Sequence, residues 1–126
     1  YRGEPPVDVA AAGRLASLIL PLFQGRGAEE YFLLVSTDFS HHGDRAATEK
    51  KDALSRRFFL RPDRASWVVV SCDNGPGMYI LGALARERGC DAAVLWHTTS
   101  LEIAPALADP MNITSYFFSF IYPSGK

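Results

Sequence analysis

Asp38, Ser40, His41 and His42 bring a carboxylate, a hydroxyl and two imidazoles together directly after the apolar run Tyr31-Phe-Leu-Leu-Val35. A carboxylate three residues before an imidazole can orient that ring or bind a metal beside it. The imidazole can then act as base or ligand near neutral pH. The same residue types also serve as turn caps, with the histidines facing solvent. Adjacent residues of an extended backbone point to opposite sides, so at most one of His41 and His42 is expected as a direct ligand. Cys72 is the second chemical candidate. It lies three residues before Gly75-Pro76, outside a helix start, where unpaired N–H groups favour a thiolate that could react or bind a metal. A small residue buried under the helix start is the competing reading. Cys90 follows Gly89 and precedes an apolar segment, which reads as an inert packed thiol. His97, followed by Thr98, Thr99 and Ser100, reaches the same end of a sheet as Asp38 if the two strands run parallel. The chain contains no P-loop, no GxGxxG, no CxxC pair and no HExxH.

These residues need elements to place them. Asp8 reads as the cap of a helix through Phe23, with Pro21 limiting its last turn and Gly25-Arg26-Gly27 breaking the chain. Tyr31 to Val35 has the character of a buried strand, and ligands in open α/β sheets gather beyond the carboxyl ends of such strands. Asp44 caps a second predicted helix to about Leu60, carrying a charged face and ending at Arg61-Pro62. Trp67-Val68-Val69-Val70 reads as a short strand or a buried helical turn. Gly75-Pro76-Gly77 opens a third helix over Met78 to Arg88, preceded by Asp73 and Asn74 as capping residues and closed by Gly89. Ala92 to Trp96 follows as a buried strand, Leu101 to Asn112 as a loop, and Ile113 to Tyr122 as a final strand. That last strand alternates Tyr116, Phe118, Phe120 and Tyr122 on one face, and an antiparallel course suits it because no helix precedes it. The alternation predicts a layered α/β domain, with a largely parallel sheet and helices packed on it.

The 126 residues, 48% hydrophobic, suit one domain with a real core. Basic and acidic side chains number 13 and 14 without long runs of either sign, which argues against nucleic-acid and membrane-surface partners. No stretch of about 18 apolar residues occurs, and no signal-peptide pattern opens the chain, so a soluble, cytoplasmic protein is expected. Two cysteines outside any CxxC pair read as free thiols. Arg2 to Pro6 reads as a linker, and a first residue of Tyr1 suggests a piece of something longer.

Leu33 to His41, then Ser71-Cys72-Asp73-Asn74-Gly75-Pro76, then Thr99-Ser100, and last Thr114-Ser115-Tyr116 resemble, in order, segments of the second half of the Memo-like proteins. The resemblance runs from about Asp8 onward, and its first motif is the most specific. It implies the fold of the class III extradiol dioxygenases, here as a half domain. It also implies Cys72 as a metal ligand, Asp38 as the acid beside the metal and His41 as a vestibule histidine. Ser40, His42 and His97 are expected to line the binding site from their own positions, since neither His42 nor His97 aligns with the family's metal-binding histidines. The chain departs from the family in three ways. The family's two metal-binding histidines lie in an N-terminal half that this chain does not contain, the segment from Gly43 to Ser71 is shorter, and Asp73 stands where the family has glycine. Two functions follow as expectations. One is a metal-linked redox or dioxygenase-like activity using Fe(II) or Cu. The other is a noncatalytic module that recognises a peptide or partner protein. A hydrolase with a Cys72 nucleophile and His41 or His97 as base ranks below both. A sheet lacking half its domain would expose an apolar edge, so a homo-oligomer or a separate N-terminal-half partner is expected to cover the aromatic last strand.

Overall fold

A computed structural model describes residues 7–25, 28–63 and 65–125. The linker reading of residues 2–6 and the break at residues 26–27 lie outside that set. Helix α1 (Val9–Ile19) starts where expected, because the Asp8 carboxylate accepts the otherwise orphaned N–H of Ala11 at 2.9 Å. A 3₁₀ turn at Leu20–Phe23, with Pro21 in its first positions, ends it. Helix α2 (Arg45–Leu60) is capped the same way, by Asp44 on the N–H of Ala47 at 2.9 Å. Helix α3 (Gly75–Arg88) takes its cap from Asn74 alone. Gly89 closes it in the left-handed conformation, φ 59°, which glycine adopts without a side-chain penalty.

The only strands among the described residues are β1 (Cys90–Thr99) and β2 (Ser115–Pro123), paired antiparallel from Cys90↔Pro123 to Thr99↔Ser115. A register shift falls between Val94 and Trp96, and Leu95 there is exposed. The short helix α4 (Ser100–Ile103) occupies the start of the expected loop. Its capping box is formed by Thr99 and Glu102.

The layered, largely parallel sheet expected from the sequence is not what forms. Tyr31 to Val35 is irregular in hydrogen bonding, and Trp67 to Val69 belongs to a 3₁₀ turn, Ser66–Val69. Ala92 to Trp96 sits within a strand whose partner runs antiparallel, so no parallel neighbours arise. An apolar run reports a tendency to be buried, whereas a strand also requires a neighbouring backbone in register. Leu33 and Val35 do pack against the helices, but Phe32 and Leu34 are 74% and 76% exposed. Only at Phe39 does this segment find partners, with antiparallel bridges to Cys72 on one side and Ser115 on the other.

Two apolar clusters hold the elements together. Ala12 and Ala16 of α1 pack on Tyr79, Ile80 and Ala83 of α3, small residues allowing the close approach. Phe58 and Phe59 of α2 join Phe39, Cys72 and Met78, with Phe117 and Ile121 of β2 against them. Phe39 meets Phe117 edge-on, centroids 4.9 Å apart. Together they fix the loop after Phe39 against the end of the hairpin, where the candidate residues converge. No described helix is long and apolar enough to cross a membrane.

Candidate functional site

The Phe39 bridges pin one end of the loop carrying His41. Phe39 exchanges both backbone hydrogen bonds with Ser115, at 2.9 Å each, and the N–H of Ile113 reaches the Gly43 carbonyl at 2.9 Å. Between these anchors Ser40 and His42 both adopt positive φ, 47° and 61°, values that side chains rarely favour outside tight turns. The two imidazoles stay neighbours, ring centroids 5.3 Å apart, but find different partners. His42 Nδ1 lies 2.9 Å from Asn112 Oδ1, while His41 turns toward Asp38 and Asp73. Of the two, His41 is the one whose ring faces both carboxylates.

Asp73 is clamped to the Thr37–Asp38 segment. Its Oδ1 accepts the Asp38 N–H at 3.1 Å and the Thr37 hydroxyl, while its own N–H donates to the Asp38 carbonyl at 3.2 Å. That leaves Oδ2 free to face His41. His41 Nε2 stands 3.9 Å from Asp38 Oδ2 and 3.9 Å from Asp73 Oδ2. Neither distance is a hydrogen bond. On its other side, His41 Nδ1 is 3.3 Å from the Thr114 hydroxyl, and Lys51 Nζ donates to the His41 carbonyl. When Nδ1 carries the proton and donates a hydrogen bond to Thr114 Oγ1, Nε2 presents a lone pair between the two carboxylates, the usual arrangement of a metal-ligating histidine and its outer partner.

One atom from each of Asp38, His41 and Asp73 lies within 4.8 Å of the others. Ligands about 2.2 Å from one ion can be separated by at most about 4.4 Å, so side-chain adjustments of a few tenths of an ångström would complete three contacts. His41 is largely covered, and the two carboxylates are about half exposed, which leaves an approach from solvent. Tyr116 adjoins the group. Burial pushes its phenol above the usual range, and the negative charge of Asp38 adds to that rise.

Cys72 is not part of this group. It lies in the core with Phe39, Phe58, Phe59 and Met78, because alternation around the Phe39 bridge turns Asp73 outward and Cys72 inward. Cys90 is also free of disulfide bonding, and burial raises its thiol pKa. His97 pairs with a residue that sequence reading did not single out. Its Nε2 is 2.7 Å from Asp52 Oδ2, and the second Asp52 oxygen accepts from Ser40 Oγ and Ser115 Oγ at 2.5 Å each. Asp52 and Asp73 are thus the functional candidates the sequence reading lacked. Asp73 reads naturally as a helix cap, and only its position beside Cys72 hints at more. Asp52 sits at helical spacing from Thr48, Ser55 and Phe59, all buried.

From Asp38 a cleft of about 890 Å³ runs between the Tyr31 to Asp38 segment and β2, floored by Phe59, Met78 and Leu81. It is mostly apolar, with Thr37, Asp38 and Tyr116 at the end nearest the His41 group. No family model, curated protein or solved structure matches this chain.

Proposed function

We propose that this chain is a Memo-like, metal-binding domain in which Asp38, His41 and Asp73 hold one divalent ion at the head of an aromatic-lined cleft. The observation that carries this reading is His41, with Nδ1 against Thr114 and Nε2 facing two carboxylates at a distance too long for hydrogen bonding. One imidazole with two carboxylates suits Fe(II) better than Cu(I), which prefers soft thiolate or thioether ligands. An ion so held, with positions open to solvent, would supply Lewis-acid or redox chemistry to an oxygen-bearing ligand. The chain's own contribution is binding and orientation. Phe59, Met78 and Leu81 would take the apolar body of an aromatic, diol-type molecule. Tyr116, kept protonated by burial, would donate a hydrogen bond at the polar end, and Asp38 would accept one or receive a proton.

Anaerobic titration with Fe(II) and Co(II), beside His41→Ala and Asp73→Asn, tests the reading. Near-stoichiometric binding lost in both variants is expected. Absence of binding by the wild-type chain, or equal binding by all three, refutes it.

The cleft favours a second reading, a noncatalytic module for a peptide or partner protein. One long wall is the strand β2 and the other the Tyr31 to Asp38 segment, and beyond the Phe39–Ser115 bridge no ladder joins them among the described residues. A strand from a second copy or from a separate N-terminal-half partner would find hydrogen-bonding groups on both sides. Sedimentation of the chain alone separates the cases, since a concentration-independent monomer that binds metal leaves the first reading in place.

A further inference from the structure

Asp52 is the most deeply placed charged side chain next to the loop, 5% exposed, and the proposed chemistry does not use it. A buried carboxylate is costly unless its oxygens are occupied. Here Oδ1 takes the hydroxyls of Ser40 and Ser115, and Oδ2 takes His97 Nε2. The partners come from the His41 loop, β2 and β1, while Asp52 itself belongs to α2. Two of them immediately precede or follow residues that set His41. Ser40 is the residue before it and holds φ at 47°, and Ser115 follows Thr114, whose hydroxyl meets the His41 ring.

We infer that Asp52 is a positioning residue for His41: by holding Ser40 and Ser115 on one oxygen, it keeps the loop in its left-handed turn and keeps Thr114 beside Nδ1. A serine at positive φ is disfavoured by itself, and the Ser40–Asp52 hydrogen bond offsets that preference. His97 holds the second oxygen and so fixes the rotation of the carboxylate. Its ring lies on Phe117, centroids 4.5 Å apart, and Arg56 Cζ stands 5.3 Å from the centroid of the same Phe117 ring. Asp52 touches no ligand itself. It acts through the geometry of the loop.

The binding arm of the test rests on the metal reading, and the structural arm does not. In the metal-free protein, the nuclear Overhauser contact between the His41 ring and the Thr114 methyl reports the loop directly. Contacts between Phe58 and Phe59, rings 5.4 Å apart, report the core. In Asp52→Leu both accepting oxygens are removed at similar size, and in Ser40→Ala only the loop's hydroxyl is removed. Expected is loss of the His41–Thr114 contact with the Phe58–Phe59 contacts retained, and at least tenfold weaker Co(II) binding. His97→Gln, whose amide still donates to Asp52, should retain both. If Asp52→Leu loses its core contacts, Ser40→Ala carries the decision. Persistence of the His41–Thr114 contact in every folded variant overturns the inference. A wild-type protein that binds no Co(II), with the contact still lost in the variants, refutes the metal reading and leaves the positioning role standing.

Discussion

Gly13 and Gly82 both lie inside helices, yet replacing each with alanine should move stability in opposite directions. An alanine in a helix interior is favoured over glycine by about 1 kcal/mol, because glycine loses more backbone freedom on folding. At Gly13 of α1, a new methyl would meet only the Tyr79 hydroxyl at 3.5 Å, an ordinary contact. At Gly82 of α3, it would collide with the carbonyl oxygen of Asp63 and lie 2.9 Å from that carbonyl carbon. The obstacle is backbone, and it is not free to swing away. The Asp63 carboxylate accepts the N–H groups of Ala65 and Ser66 at 2.7 Å each, fixing the turn before the Ser66–Val69 helix. Overpacking of this kind costs roughly 1–3 kcal/mol, and from its upper half the helix gain of about 1 is subtracted. Gly82→Ala should therefore lose about 1–2 kcal/mol, while Gly13→Ala gains about 0.5–1. Urea denaturation of the two variants and the wild type, with equal slopes confirming a common unfolded state, reads the difference. A Gly82→Ala protein as stable as Gly13→Ala would show that α3 does not sit against Asp63 as described.

Three further outcomes follow from particular groups. Thr48 Oγ1 is buried with no hydrogen-bond partner, so the shape-conserving Thr48→Val should stabilise by roughly 1 kcal/mol in thermal or urea unfolding, both residues being β-branched. The Asp63 carboxyl is held below its usual value chiefly by the Ser66 N–H, then by that of Ala65, so the folded state releases its proton more readily than the unfolded state. Its stabilising effect is present above the ordinary aspartate range and is lost as pH falls through the lowered value. The stability gap between wild type and Asp63→Asn should accordingly be widest near neutral pH and shrink on acidification. Cys72→Ser should destabilise by about 1–3 kcal/mol, by placing a hydroxyl among Phe39, Phe58 and Phe59, while leaving Fe(II) binding at Asp38, His41 and Asp73 intact. Metal loss in that variant at retained fold would return the thiolate to the ligand set.

The helices were legible because their signals are local. Asp8, Asp44 and Asn74 each accept a hydrogen bond from a nearby N–H on a side-chain oxygen, and Gly89 needs only its own backbone freedom. The sheet was not legible, because Tyr31 to Val35 has strand composition without a partner, and composition carries no information about which backbone lies alongside. Within the site, Asp38 and His41 were visible from their spacing in one loop. Their partner Asp73 comes from a segment 35 residues from Asp38, joined to it by a tertiary bridge that no local pattern announces. Asp52 was concealed by its type. On α2 the inward face includes Thr48, Asp52 and Ser55, so a hydrophobicity pattern assigns those positions to solvent.

The unzipped course of Tyr31 to Val35 also sets a limit on how the chain behaves in concentrated solution. Five consecutive apolar residues without proline or charge, two of them outward and largely exposed, form a short template onto which like segments can stack. The neighbouring hairpin presents Trp96 and Phe118 stacked on its open face, centroids 5.1 Å apart, which extends the sticky area. A lysine at Phe32 would act as a gatekeeper there. Its side chain would point to solvent, the inward packing of Leu33 and Val35 would be untouched, and stacking would have to bury a charge at every layer.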